Sequence, residues 1–187
     1  TKRALAQAIK ELMNEKPLVK ISIADIVDRC QMNRQSFYYH FRDKYDLVNW
    51  IFYTELITEL QNSSNKDEYE ELKNICRYLY DNRAFYINAL KFTGQNSFYE
   101  YFGEVIYQLL KAAFNESFGN SDQSDFNAMF YADALRACIF RWLTSGAKMP
   151  PDEFVGKIRS ALAISPENQR ALLKEAARGA LTNVPWN

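Results

Sequence analysis

The sequence predicts an all-α protein. Apolar residues recur at the three- and four-residue spacing of helix faces along nearly the whole chain, and no stretch alternates polar with apolar residues as a half-buried strand does. Caps and turn clusters divide that pattern into separate helices. The first helix is expected over Lys2–Glu15, capped by Thr1, with Leu5, Ile9, Leu12 and Met13 along one face. Residues 14–17 close it, and residues 18–21 lead into the most informative stretch of the chain.

That stretch is residues 22–41, SIADIVDRCQMNRQSFYYHF. Ser22 is a good N-cap, Asp25 sits where a capping-box partner belongs, and Ile21 and Ile26 occupy the two positions of a hydrophobic staple. Ile23, Ile26 and Val27 give a short helix over about 23–30 its apolar face. Gln31, Met32 and Asn33 make a turn, with Met32 as the apolar plug. A second short helix begins near Arg34 and buries Phe37 and Phe41, leaving Arg34, Gln35, Ser36 and Tyr38 outward. The core of this three-helix unit is Leu5, Ile9, Leu12, Ile26, Val27, Met32, Phe37 and Phe41. Arg can bond guanine through two donors, Gln can bond adenine, and Ser is permissive, so the first turn of the second helix suits base edges in a major groove. The arrangement is a helix-turn-helix.

The run 22–47, ending FYYHFRDKYDL, resembles the DNA-binding domain of the TetR family of bacterial transcriptional regulators, through Ser22, Ile26, Val27, Tyr38, His40, Phe41 and Lys44. The resemblance implies that the second helix enters the major groove. The DNA-facing set is then Ser22, Asn33, Arg34, Gln35, Ser36, Tyr38, Tyr39, His40 and Lys44, with Ser22, Tyr39, His40 and Lys44 against phosphates. One position departs from the pattern: Gln31 stands in the turn where the family has Gly. A non-glycine residue held at positive φ there costs on the order of 1 kcal/mol.

Beyond the motif, Asp43 caps a helix expected over about 44–60 whose first half is apolar almost all round, through Leu47, Val48, Trp50, Ile51, Phe52 and Tyr53. Such a helix must be covered on more than one side, so it is expected to touch both the reader and the body and to transmit between them. Residues 61–68, QNSSNKDE, read as a linker. Helices follow over about 67–80 (Leu72, Ile75, Cys76 and Leu79 inward), 83–90, 97–116, 125–144 and 151–163, with a loop at 118–124. The expected division is a helix-turn-helix domain over 1–45, a helical effector-binding and dimerisation domain over 46–163, and a tail over 164–187. The tail has a helix start at Ser165, Pro166 and Glu167 and a stop at Gly179. It reads equally as an extra packing helix, an arm around a second subunit, or an expression remnant.

Charge supports the division. The chain is neutral, with 23 basic and 23 acidic residues, but residues 1–45 hold nine Lys/Arg against five Asp/Glu. A basic reader on an acidic body fits a nucleic-acid partner. Cys30, Cys76 and Cys138 are too far apart for a metal or redox motif and fit a reducing cytoplasm. No apolar run is long enough for a membrane span. His40 is the single histidine, so no His-pair metal site and no catalytic His arrangement can be built; no cofactor, metal or catalytic residue is expected.

The body is rich in aromatics, with Tyr in excess of what packing needs. Most fill a core; the TetR resemblance implies a small-effector cavity between the fourth and eighth helices, for which Trp50, Tyr53, Tyr78, Tyr86, Tyr99, Phe102 and Arg136 are the candidate lining. Asp133 and Arg136 also read as an i,i+3 pair on the helix surface. Residues on the last two helices would leave apolar surface exposed in a monomer, so a homodimer is expected, with Phe130, Ala137, Phe140, Arg141, Phe154 and Ile158 as candidate interface residues. DIVDRCQMNRQSFYYHFRDKYDLVNWIF and RWLTSGAKMPPDEFVGKIRSAL most resemble the dihydroxyacetone-kinase-regulator branch of the family. The reading is a cytoplasmic, homodimeric, TetR-like regulator, typically a repressor, on a palindromic operator, with DNA affinity controlled by a small effector or protein co-regulator. The alternative is a co-regulator acting through a protein partner with vestigial DNA binding. A helical-bundle enzyme has no supporting residues.

Overall fold

A computed structural model describes residues 1–62, 68–163 and 167–171. Among these residues all regular structure is helical: α1 (Lys2–Glu15), a 3-10 turn (Leu18–Lys20), α2 (Ile23–Arg29), α3 (Arg34–His40), α4 (Lys44–Asn62), α5 (Glu68–Asp81), α6 (Arg83–Leu90), α7 (Phe98–Phe118), α8 (Asp122–Thr144) and α9 (Pro151–Leu162). The helix start expected at Ser165 and Pro166 lies outside the described residues. Residues 167–171 are helical and exposed, and the expected stop at Gly179 again lies outside.

Local chemistry accounts for the boundaries. Ser22 and Asp25 form the capping box: the Asp25 amide donates to Ser22 Oγ at 3.1 Å and the Ser22 amide to Asp25 Oδ2 at 2.8 Å. Asn33 caps α3 by accepting from the Ser36 amide at 2.8 Å, and Asp43 caps α4 through the Asp46 amide at 2.8 Å. Three elements differ from expectation, one of them α7, which runs on to Phe118 at the start of the expected loop. α8 begins at Asp122 rather than 125, because the Ser121 hydroxyl accepts from the Ser124 amide and so supplies a cap within the expected loop. α4 runs on to Asn62, into the expected linker, whose residues 63–67 are not among those described.

α1, α2 and α3 pack around Leu5, Ile9, Leu12, Ile26, Val27, Phe37 and Phe41, each at most 4% exposed, with Met32 half-buried at the edge. α4 packs against α1, α5 and α7, which explains its lack of a polar face. In the body α7 lies along α8, and α9 along α5. The centre is Phe52, whose ring meets Tyr86 at 5.9 Å, Phe98 at 5.2 Å and Phe102 at 5.4 Å. One connected cluster of buried side chains runs from Leu5 to Val155, so reader and body share a core.

The turn after α1 is held from outside itself. Asn88 of α6, 9% exposed, accepts from the Leu18 amide at 2.9 Å and donates to the carbonyls of Met13 (2.9 Å) and Lys16 (3.2 Å). Lys44, at the start of α4, donates to the carbonyls of Leu18 (2.7 Å), Val19 (3.1 Å) and Ile21 (2.7 Å). Buried backbone groups stripped of partners are expensive. Replacement of Asn88 by Leu is therefore expected to lower the unfolding free energy by about 2–4 kcal/mol, read from urea denaturation. A loss under about 0.5 kcal/mol, the range of an ordinary surface change, would show that the clamp is dispensable.

Candidate nucleic-acid interface

The turn between α2 and α3 fixes how α3 is presented. Gln31 adopts φ +56°, the left-handed region. The Met32 amide bonds the Val27 carbonyl at 2.8 Å, and the Gln31 amide bonds the Asp28 carbonyl at 3.2 Å. These two bonds are a Schellman closure, with a residue that carries a Cβ where glycine is usual. The turn expected from the sequence is formed, at the strain expected of that residue.

α3 then buries Phe37 completely and shows its other faces. Arg34 and Gln35 are exposed, Ser36 is half-buried, Tyr38 is 58% exposed and Tyr39 is 84% exposed. An aromatic side chain that exposed has no packing reason to be there. Among the described residues the one ring contact of Tyr39 is with the edge of the neighbouring His40, at 4.9 Å. Arg34 makes no ion pair among the described residues, whereas Arg29 is bound to both Glu15 carboxylate oxygens at 2.8 and 2.9 Å and Lys16 to Asp25 at 3.0 Å. The exposed first turn of α3 is thus a cationic, donor-rich edge with aromatic flanks, suited to bases and phosphates.

Seven of the nine expected DNA-facing residues lie on α3 or at its cap, and Ser22 caps α2. Ser22 is exposed; its oxygen accepts within the capping box, and its hydroxyl also helps hold the Asp25 carboxylate. Lys44 is the exception. All three hydrogens of its ammonium go to carbonyls of the preceding turn, and burial lowers its pKa. Its place in the geometry is internal: it ties α4 to the turn rather than facing the groove.

The expected effector lining does not converge. Tyr86 and Phe102 are at most 1% exposed and pack on Phe52, filling the centre of the body. Tyr53 is half exposed on the outside. Trp50 and Tyr78 line an open cleft of about 500 Å³ between α1 and α4. Tyr78 is committed there: its hydroxyl donates to Glu55 at 2.6 Å and meets Tyr86 Oη at 2.7 Å, and burial raises its pKa. Glu55 also pairs with Lys10. Arg136 lies across α8 against α7, donating to Asp133 at 2.8 Å and covering the Tyr99 ring at 4.4 Å. The i,i+3 pair with Asp133 is present. Gly103 makes room for it, since a Cβ there would meet Arg136 Nη1 at 2.6 Å.

The expected interface residues divide in the same way. Phe130, Ala137 and Arg141 are exposed along one face of α8, with Phe126 and Ala134 on the same stripe. Phe140 faces inward instead, 4.9 Å from Phe102 and 5.0 Å from Tyr99. Ile158 is 8% exposed within the subunit, and Phe154 stacks on Trp142 at 4.6 Å. Phe140 is core of the single chain, because α8 is apolar on two faces and spacing alone does not say which one the body takes; Ile158 and the half-buried Phe154, on α9, pack within the subunit.

Among the described residues no group of three His, Cys, Asp or Glu could hold a metal ion, and no helix is long and apolar enough to cross a membrane. Burial pushes the Cys76 thiol up to about 12, which leaves it unreactive at neutral pH.

Comparison with known proteins decides the family. Residues 5–51 match the model described as bacterial regulatory proteins, tetR family, and residues 66–163 match the model of a transcriptional regulator C-terminal region. The chain belongs to the TetR family. Both matched models describe transcriptional regulators. The chain is 36% identical over 89 residues to the HTH-type dhaKLM operon transcriptional activator DhaS of Lactococcus lactis subsp. lactis (strain IL1403), a match covering 46% of each chain. The similarity therefore spans about half the length of that curated relative. A solved structure of a dihydroxyacetone kinase operon activator, DhaS, aligns with a TM-score of 0.63 at 26% identity, covering 86% of this chain and 93% of that one.

The capping box that orients the helix-turn-helix is pH-dependent. The Ser22 amide, then Lys16, then the Ser22 hydroxyl hold the Asp25 carboxyl down to about 2 from an ordinary 3.8. A depressed carboxylate contributes stability above its unfolded value and loses it as pH falls toward the folded one. The α2 cap should therefore be complete above about pH 4 and lost on acidification toward about pH 2. Acid titration followed by amide exchange in α2 should show this for the wild type and a flatter profile for Asp25→Asn.

Proposed function

We propose that this TetR-family regulator binds a palindromic operator as a homodimer, each subunit inserting α3 into a major groove. The observation that carries the reading is the exposed set Arg34, Gln35, Tyr38 and Tyr39, with Ser36 half-buried beside it, opposite a fully buried Phe37, on a helix held by an Asn33 cap and a Schellman turn. Arg34 and Gln35 read base edges; Ser22, Tyr39 and His40 contact phosphates; Asn33 and Ser36 set the helix start against the backbone. One seven-residue helix offers too few base contacts for specificity, and a two-fold pair doubles them. The exposed α8 stripe of Phe126, Phe130, Ala134, Ala137 and Arg141 supports pairing of two copies there.

The control is proposed to come from outside the body's core. Phe52, Tyr86, Phe98 and Phe102 occupy its centre, which supports a partner protein or a surface-bound ligand over an enclosed effector. The two DhaS relatives are described as operon activators. By that similarity we infer activation of a dihydroxyacetone kinase operon in place of the repression typical of the family.

The DNA reading is tested by fluorescence anisotropy with the DNA upstream of the chain's own gene. Affinity should fall steeply with salt, by a log–log slope of about −0.9 for each phosphate neutralised. Arg34→Ala with Gln35→Ala should weaken specific binding by about 30-fold or more while leaving the circular dichroism spectrum and melting temperature intact. Unchanged specific affinity in that variant would remove α3 from base readout.

The dimer is tested by sedimentation equilibrium. The wild type should run at twice the chain mass of 21.9 kDa. Phe130→Asp combined with Ala137→Asp on the exposed stripe should shift it to the monomer. A wild type already monomeric at micromolar concentration refutes the dimer.

A further inference from the structure

A cleft of about 350 Å³ opens between the first turns of α4 and α7, lined by Asp46, Asn49, Asn96, Glu100, Tyr101 and Glu104, with Arg42 at its rim. It lies where the reader joins the body, and Glu100 and Glu104 also border a groove shared with Phe126 and Arg136 of α8. At its inner wall Asn49 is 8% exposed, although it is a primary amide on a helix. Its Nδ2 donates to the Asn96 carbonyl at 3.2 Å, which fixes the amide's orientation. The opposite atom, Oδ1, is buried and meets no donor among the described residues. A buried acceptor left unpaired costs about 1–3 kcal/mol, so its retention in a packed junction calls for an explanation. Asn96 adds to the cost, since it holds φ +64° in order to present that carbonyl.

The rest of the lining says what would satisfy Oδ1. Asp46, Glu100 and Glu104 bring three carboxylates, and Arg42, whose side chain is 80% exposed and whose Nε lies 3.8 Å from Asp46, offsets one of them in part. Glu100 reaches Arg136 only at 3.8 Å. The site is thus rich in acceptors and negative, and asks for a ligand that is all donor and positive. An ammonium group, with three N–H donors and no acceptor, has that chemistry. A divalent ion does not fit, because the carboxylates are spread out and no metal-binding group of three exists among the described residues. Glu100 and Glu104 stand four residues apart on α7, about 6 Å along the axis. That spacing suits an extended cation with more than one charge.

We propose that this junction cleft binds a small aliphatic polyamine, one ammonium bonded to Asn49 Oδ1 and a second held by Glu100 and Glu104. A bound polyamine bridges α4, through Asp46 and Asn49, to α7. It thereby restrains α4 within two turns of the helix-turn-helix. The consequence for DNA affinity rests on the proposed reading of α3; the binding itself does not.

The test is isothermal titration calorimetry of the full chain, without DNA, using putrescine and spermidine, with NaCl and MgCl2 at matched ionic strength as controls. Spermidine should give a saturable isotherm with one site per chain and a Kd of about 1 mM or tighter, and Mg2+ should give none. Glu104→Gln, an exposed change that spares the core, should weaken binding by about fivefold or more, and Asn49→Leu by about tenfold or more. Because Asn49→Leu alters a buried position, its melting curve is measured alongside; if it does not fold, Glu104→Gln decides. Arg34→Ala with Gln35→Ala should bind spermidine as the wild type does, which separates this site from the DNA reading. The proposal is overturned by absence of a saturable isotherm, by an equal response to Mg2+, or by full affinity in Glu104→Gln.

Discussion

Six backbone groups around one short turn have to find partners that no helix supplies, and two side chains supply them. The amide of Leu18 and the carbonyls of Met13 and Lys16 go to Asn88; the carbonyls of Leu18, Val19 and Ile21 go to Lys44. Unpaired buried peptide groups are rare because each costs as much as a lost hydrogen bond. The turn therefore has its shape only while α4 and α6 stand where they do. α2 begins two residues after the turn, so the frame of the helix-turn-helix is inherited from the body through this contact.

The clamp also shows where pattern reading stops. The caps Ser22 and Asp43 were legible because a cap is a local device with fixed offsets, and the strain at Gln31 because left-handed backbone belongs to glycine. Asn88 sends its bonds 70 or more residues away, and between Ile87 and Ala89 it looks like any polar residue on a short helix. Lys44 stands at a position that resembles a phosphate contact, yet a flexible ammonium goes to the strongest acceptors within reach, and here those are three buried carbonyls. Phe140 illustrates a different limit. α8 is apolar on an inner and an outer face, and only the partner rings Tyr99 and Phe102 reveal that Phe140 belongs to the inner one. The aromatic surplus likewise fixed that the body is densely packed without saying whether the rings surround a space or fill it.

Reader and body do not form separate cores. Phe41 meets Trp50 of α4 at 5.6 Å, and Lys2 of α1 lies over both rings at 5.5 Å. A single connected core means that the two parts cannot rotate freely on a linker; displacement of α4 must be shared by α1, α5 and α7. Packed interiors respond to such displacement by switching between discrete arrangements rather than by flexing. Regulation of DNA affinity then needs only a ligand or partner whose contacts differ between two positions of α4.

That requirement bears on which surfaces can exert control. An occupant of the core would have to displace Phe52 and the rings around it, at the cost of their contacts. The clefts beside α4 demand no such loss. On one side, Lys10, Glu55 and Tyr78 already connect α1, α4 and α5 through charge-assisted bonds. On the other, Asn49 and Asn96 connect α4 to the entry of α7 through a single bond of 3.2 Å and leave an acceptor over. The first side is satisfied and resists change, whereas the second is incomplete and gains from a donor. Any influence that enters at α4 should do so from the incomplete side, because there a ligand supplies a missing bond instead of breaking an existing one.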